Sequence, residues 1–311
     1  MSLNLSGLSV YVKQNSDLQY AAIAGFRTAD YIKILPMTGN SQALNQLNFG
    51  TLGSSLQVGA CGWNSAGTTY LTQRTISIDP IKYNESICPE TLRSYWASEQ
   101  MSASRKGGDQ TVPAEAVIVE AKVKEIAKSN DVLAWMGNKL TGTGSYLALA
   151  NGFVAALGTG SGAVLPNSSL GITGSVTVSN VISVVDAVVN NIPEDIADRD
   201  DLVIFCSYAN FRLYVQALKN ANLYHYSADN DTYSMIIGGS NVKLVAVAGL
   251  AGTSNFIGSF AENFIMGLGD ITDYQALDMW YSQDNREVRM AVDYSIGFQI
   301  AFPTMVSWFK I

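Results

Sequence analysis

Histidine is almost absent from this sequence: His225 is the only one in 311 residues. A hydrolytic triad or an imidazole-based metal site draws on side chains that are barely there. Cysteine is scarce too. Cys61, Cys88 and Cys206 show no C-x-x-C spacing and no even-numbered framework, so reduced thiols are expected. There is no G-x-S-x-G nucleophile elbow. The glycines of Gly158-Thr-Gly160-Ser-Gly162 lack the Lys-Ser or Lys-Thr that grips phosphate, and no strand leads into them. Glu194, Asp195, Asp198, Asp200 and Asp201 lack calcium-loop spacing and read as a solvated turn, as does Asp229-Asn-Asp231. No catalytic residue, cofactor or metal is expected, and the chain is not expected to be an enzyme.

Charge is also in short supply. Charged residues make up 14% of the chain, against roughly 25% in an average soluble domain. The net charge is −7 and there is no basic run, which leaves only weak, non-specific contact with nucleic acid. No leader pattern and no apolar run of membrane-spanning length is present, so no membrane partner is expected and synthesis in a bacterial cytoplasm is.

The charges that exist are unevenly spread. From Ile34 to Gln73, and again from Leu140 to Val185, there is no Asp, Glu, Lys, Arg or His. These tracts are too rich in Gly, Ser, Thr and Asn to be core. They suit burial against another protein surface, because no ion has to be desolvated there.

Around these tracts the periodicities are clear. Tyr70 to Ile78 alternates as a strand, Pro80 interrupts it, and Ile81, Tyr83, Glu85 and Ile87 resume it. A short helix is expected from Pro89 to about Ser98. Pro113 fits a first helical position, and Ala114 to Met136 is dense in helix formers, with Ala116, Val119, Val123, Ile126 and Leu133 on one stripe. Glu120 and Lys124 suit an i,i+4 pair, and Gly137 a left-handed stop. Val181 to Ile192 reads as a helix, Leu202 to Cys206 as a doubly buried strand, Phe211 to Leu218 as a helix and Val242 to Val247 as a second buried strand. Leu277 to Tyr281, Val288 to Val292 and Tyr294 to Phe302 alternate as strands, closing at Pro303.

This order of elements resembles the major capsid proteins of tailed bacteriophages, the Hong Kong 97-type fold. Four stretches carry it. TYLTQRTISIDPIKYNESICPETLRSYW resembles the strand and short helix ahead of the peripheral domain. VPAEAVIVEAKVKEIAKSNDVLAWMGN resembles the long spine helix. VSNVISVVDAVVNNIPEDIADRDDLVIFCSYANFRLYVQALKNANLYHY is similar to the helix–strand–helix unit of the axial domain. MGLGDITDYQALDMWYSQDNREVRMAVDYSIGFQIAFPTMVSWFKI resembles the closing hairpin and final strand.

The resemblance implies a mixed α+β chain with an N-terminal arm at 1–32 and an extended β-hairpin loop at 33–79. A peripheral domain follows at 80–140, with its spine helix at 113–137. An axial domain occupies 141–265, and the return strands of the peripheral domain 266–311. Inter-subunit contact is then expected from Leu44, Leu47, Phe49, Leu52, Leu56, Val58 and Trp63, and the core of the spine helix from Val119, Val123, Ile126 and Leu133.

The implied partners are other copies of the chain, as hexamers and pentamers of a virion capsid around double-stranded DNA. A portal, a separate scaffolding protein and a decoration protein are implied as well. Two other readings are open: an encapsulin-type compartment of the same fold, and an extracellular carbohydrate-binding or tail-fibre protein, suggested by the Gly, Ser, Thr and Asn content.

Overall fold

A computed structural model describes residues 21, 23, 25–49, 59, 61, 69–88, 114–142, 144–158, 175–223, 233–269, 277–285 and 287–310. A 3-10 turn at Arg27–Tyr31 leads into β1 (Lys33–Met37), β2 (Ser41–Phe49), β3 (Thr69–Ser77) and β4 (Asp79–Ile87). Helices α1 (Ala114–Met136), α2 (Phe153–Leu157) and α3 (Val181–Asn190) follow, then β5 (Leu202–Ser207) and α4 (Tyr208–Asn220). The remaining strands are β6 (Ser234–Ile236), β7 (Lys243–Val247), β8 (Phe256–Phe260), β9 (Phe264–Gly269), β10 (Leu277–Ser282), β11 (Glu287–Ile300) and β12 (Ser307–Phe309).

Three sheets form. The first runs β1-β9-β11-β10, with β4 also paired to β11. The 14-residue β11 holds it together: β4 lies along one edge from Val288 to Ile296, while β10 and then β9 share the other. The second runs β12-β8-β5-β7-β6. Its central β5 is apolar without alternation because both faces are covered. Ile204 and Cys206 face Val181, Val184, Val185 and Val188 of α3, while Val203 and Phe205 face the core that contains Trp135. The third sheet is the hairpin of β2 and β3 alone.

Helix α1 joins the two larger sheets. Val123, Ile126 and Leu133 are buried with Met290, Val292, Tyr294 and Ile296 of β11. Near the end of α1, Trp135 is fully buried among Phe153, Phe205 and Phe264, at ring-centroid distances of 5.2, 4.9 and 5.9 Å. One indole therefore touches α2, the second sheet and the first sheet.

Several expectations need correction. Pro80 does not interrupt a strand: it lies inside β4, opposite Ser295. Gly137 is not left-handed. It is a point of close approach, where a Cβ would meet the Ala150 carbonyl oxygen at 2.5 Å and that of Leu133 at 2.6 Å. No Glu120–Lys124 ion pair forms. Lys122 instead bridges Glu125 on its own helix and Glu85 on β4, both at 3.1 Å. The stretch expected as the extended loop opens with β1, which belongs to the first sheet through parallel pairing with β9. The stretch expected as return strands divides. After Pro303 the chain crosses over, and Ser307–Phe309 pairs with β8 in the second sheet, because Trp308 and Phe309 are apolar and find cover there. The short helix expected from Pro89 lies outside the described residues.

Candidate assembly surface

The hairpin is the element with the least cover from its own chain. Its register runs from Ser41 opposite Ser77 to Phe49 opposite Thr69. Nine residues per strand reach about 30 Å at roughly 3.3 Å each. Neither strand has another strand partner among the described residues, so the hairpin is a two-stranded ribbon outside the larger sheets. One face carries Leu44, Gln46, Arg74 and Ile76 and is turned inward. The other carries Asn45, Gln73 and Thr75, all exposed. Gln73 donates to Asn45 Oδ1 at 2.9 Å, a cross-strand bond between uncharged side chains.

The base of the hairpin sits against a seat of two glycines, Gly267 and Gly297. A Cβ on Gly297 of β11 would collide with the Ser77 carbonyl oxygen, and one on Gly267 of β9 would lie 2.6 Å from Met37 Sδ and 3.0 Å from Ile78 Cγ2. On Gly269 it would lie 2.9 Å from Ser295 Cβ. At Gly297 the obstacle is backbone, so only hydrogen lets the hairpin base approach the sheet face there, whereas at Gly267 the Met37 side chain would have to shift and at Gly269 the close neighbour belongs to the sheet itself. Gln299 Nε2 donates to the Thr75 carbonyl at 2.9 Å and the Ile78 N–H to the Asn40 carbonyl at 3.0 Å, which fixes the exit direction.

The residues expected to make inter-subunit contact are placed as follows. Leu44 packs on the seat, beside Met37, Ile76 and Ile78. Leu47 and Phe49 lie on β2, opposite Leu71 and Thr69. Leu52, Leu56, Val58 and Trp63 lie outside the described residues. Of the spine-helix set, Val123, Ile126 and Leu133 meet in the main core, while Val119 is placed on α1 by its backbone alone.

Two polar residues on that helix were not singled out by the sequence reading. Asn130 and Asp131 are almost fully buried. Thr28 donates to Asp131 Oδ1, the Gly249 N–H donates to Oδ2 at 2.9 Å, and Trp135 Nε1 donates to Thr28 Oγ1 at 2.9 Å. Asn130 donates to the Ile23 carbonyl at 3.3 Å and accepts from Tyr294 at 2.7 Å. Burial raises the Asp131 carboxyl above its usual range, against the lowering effect of its bonds from Thr28, Gly249 and Ala248. A signal was present: 130 is four residues past Ile126 and 131 four past Ala127, so both polar residues fall on the buried stripe. A polar residue on a core stripe needs a partner.

Exposed apolar side chains mark further candidate contacts. Leu140 is 83% exposed and Ile236, on the edge strand β6, is 66% exposed. Leu71, Tyr146, Leu149, Trp280 and Tyr281 are also exposed. Among the described residues no group of His, Cys, Asp and Glu could hold a metal ion. Arg199 closes on Asp201 through two hydrogen bonds of 2.7 and 2.8 Å within the acidic turn. His225, Asp229 and the Gly160–Gly162 stretch lie outside the described residues. Cys61 and Cys88 are exposed. Cys206 is buried, which pushes its thiol pKa up. No helix among the described residues is long and apolar enough to cross a membrane.

No family model matches the sequence, and no curated protein matches it. Solved structures do. A chain of the satellite phage P4 procapsid, a particle that includes the size determination protein, is 14% identical with a TM-score of 0.59, over 100% of this chain and 92% of that one. A chain of the cyanophage A-1(L) capsid is 13% identical with a TM-score of 0.57, over 93% and 91%. A chain of the virus-like particle from Pyrococcus furiosus is 8% identical with a TM-score of 0.54, over 96% and 99%. At these identities the likeness is one of fold: the chain has the Hong Kong 97-type capsid fold.

Proposed function

We propose that this chain is the major capsid protein of a tailed phage. Copies assemble as hexamers and pentamers into an icosahedral head around double-stranded DNA, within the bacterial host cytoplasm. The observation that carries this is the hairpin of β2 and β3, on a fold that phage capsid chains share. Its two strands pair with no third strand among the described residues, and Arg74 is its one charged residue. Such an arm gains stability by lying on a neighbour, chiefly through backbone hydrogen bonds and apolar side chains, with Arg74 the one ion that the contact has to accommodate. A closed symmetric shell repeats that contact in every subunit. The role is structural and has no catalytic step. The acidic balance of the chain suits a wall that does not grip the packaged genome. A portal and a separate scaffolding protein complete the assembly, with a decoration protein as a further surface partner.

Electron microscopy of the purified full chain tests this directly, with closed particles as the expected result. Deleting residues 39–67 leaves a folded subunit that closes no shell. Normal particles from the deletion variant would overturn the role given to the arm. The likeness to a chain of a virus-like particle favours a second reading, an encapsulin-type compartment of the same fold. Nuclease-protected double-stranded DNA inside native particles decides for the phage head, and a packaged cargo protein for the compartment.

A further inference from the structure

Two donors on the inner face of the hairpin have no acceptor. Arg74 Nη1 and Gln46 Nε2 are both sealed from solvent, and neither makes a hydrogen bond. Arg74 is opposite Leu44 and Gln46 is opposite Thr72, so the two sit diagonally on one face. Gln46 is only 8% exposed. Thr72 Oγ1 donates to its Oε1 at 3.2 Å, which fixes the amide and turns Nε2 away. The guanidinium reaches only the Ala156 carbonyl on α2, from Nη2 at a long 3.4 Å. No acidic side chain among the described residues forms an ion pair with Arg74, and burial accordingly lowers its pKa with no acid opposing it.

Buried donors are nearly always satisfied in folded proteins, and a buried cation without a counter-ion is costlier still. Two orphans side by side, on the arm that leaves the body of the subunit, mark a surface that is incomplete in the single chain. A guanidinium with an amide beside it offers a fork of N–H donors, the geometry that grips a carboxylate. A second copy has such groups to spare, since the chain carries 26 acidic and 19 basic residues.

We propose that Arg74 and Gln46 form a docking site for a carboxylate of a second copy of this chain. The inference rests on the shell-forming reading. Because both atoms are sealed in the free subunit and Arg74 rests on the Ala156 carbonyl, the hairpin must lift off Ala156 to admit the partner. The weak Nη2 bond is what it gives up. The contact with α2 is thus a resting position, exchanged on assembly for an ion pair.

The test is a difference in sign. In the free subunit, Arg74→Met and Gln46→Leu each remove an unsatisfied buried donor, so the thermal midpoint rises. In the shell the same changes remove a partner, so the critical concentration for assembly rises tenfold or more, and Arg74→Lys recovers part of the loss. Free subunit and shell moving in the same direction would overturn the site. So would an effect confined to DNA-filled particles and absent from DNA-free ones, which would make the acceptor a phosphate. If the unsubstituted chain forms no particles at all, the shell-forming reading fails first, and the site fails with it.

Discussion

Tyr294, midway along β11, donates its hydroxyl to Asn130 on α1 at 2.7 Å, across 164 positions of sequence. Asn130 in turn holds the Ile23 carbonyl. One side chain thus ties the N-terminal segment and the long helix to the strand that organises the first sheet. Burial lifts the Tyr294 phenol pKa to about 12, so the hydroxyl keeps its proton at any physiological pH. Tyr294→Phe leaves Asn130 Oδ1 buried without its donor, at a cost of about 1–3 kcal/mol. Urea unfolding should show the loss. Tyr294→Phe combined with Asn130→Leu should lose less than the sum of the two single changes.

Asp131 supplies a pH dependence. Its carboxyl titrates above the ordinary value of 3.8 in the fold. A raised acid pKa means that the folded state binds the proton more tightly than the unfolded chain. The stabilisation from this group is therefore complete below the unfolded value and declines as pH rises through the folded one. Asp131→Asn abolishes that decline, which parallel denaturation series from pH 4 upward will read. Asp131→Ala strands the Gly249 N–H and the Thr28 hydroxyl, at a cost of about 3 kcal/mol.

Val123→Asp abolishes folding. The side chain is buried beneath the long helix, and among the cluster it joins no basic group is present to pair with a new carboxylate. Circular dichroism of the purified variant, or its absence from the soluble fraction, checks this. A cooperative, native-like melt would show that the stripe is not core.

The contrast between α1 and the hairpin seat shows what could be read from the chain. Val123, Ile126 and Leu133 recur at helical spacing, and local periodicity alone places them on the core face. The buried runs of β5 and β7 were legible for a similar reason, as apolar segments of strand length, that of β7 entered through Lys243. The seat was not legible. Gly267 and Gly297 are glycines inside apolar strands, and their meaning lies in Met37 and Ser77, more than 200 positions earlier. The destination of β12 was hidden too. Ser-Trp-Phe fits any apolar sheet face, and its pairing with β8 is settled by a crossover that no local pattern encodes.

Gly297→Ala tests the seat. The added methyl collides with backbone at Ser77 and cannot be relieved by a rotamer change, so the hairpin base or β11 must move. Overpacking of this kind costs about 1–3 kcal/mol. Beyond that loss, hydrogen exchange should quicken at Thr75 to Ile78 with little change in β5 and β7. Uniform quickening would mean that the glycine matters to the core and not to the arm.

The arm itself sets the response to salt and to covalent capture. Arg74 is its one charge, and a pair formed by that buried guanidinium is screened far less than an exposed one, so particles should stay closed in molar NaCl. There is no lysine from Ile34 to Ile81, so this arm cannot supply the amine of an isopeptide bond. Denaturing gels of mature particles should run as a single monomer band. A ladder of multimers would refute this.

The seat also imposes an order in time. The hairpin is complete by Ser77, yet Gly267 and Gly297, which receive it, are made some 200 residues later. At roughly 5–20 residues per second, the ribosome needs about 10–40 s to bridge that gap. Throughout it the arm is a two-stranded ribbon with nothing beneath it, and such ribbons are marginal in water. A nascent chain therefore has no aimed arm to offer its neighbours on the same messenger. On the proposed shell-forming reading, the capacity to polymerise is withheld until the subunit has left the polysome, where the concentration of identical chains is highest and premature association would do the most harm.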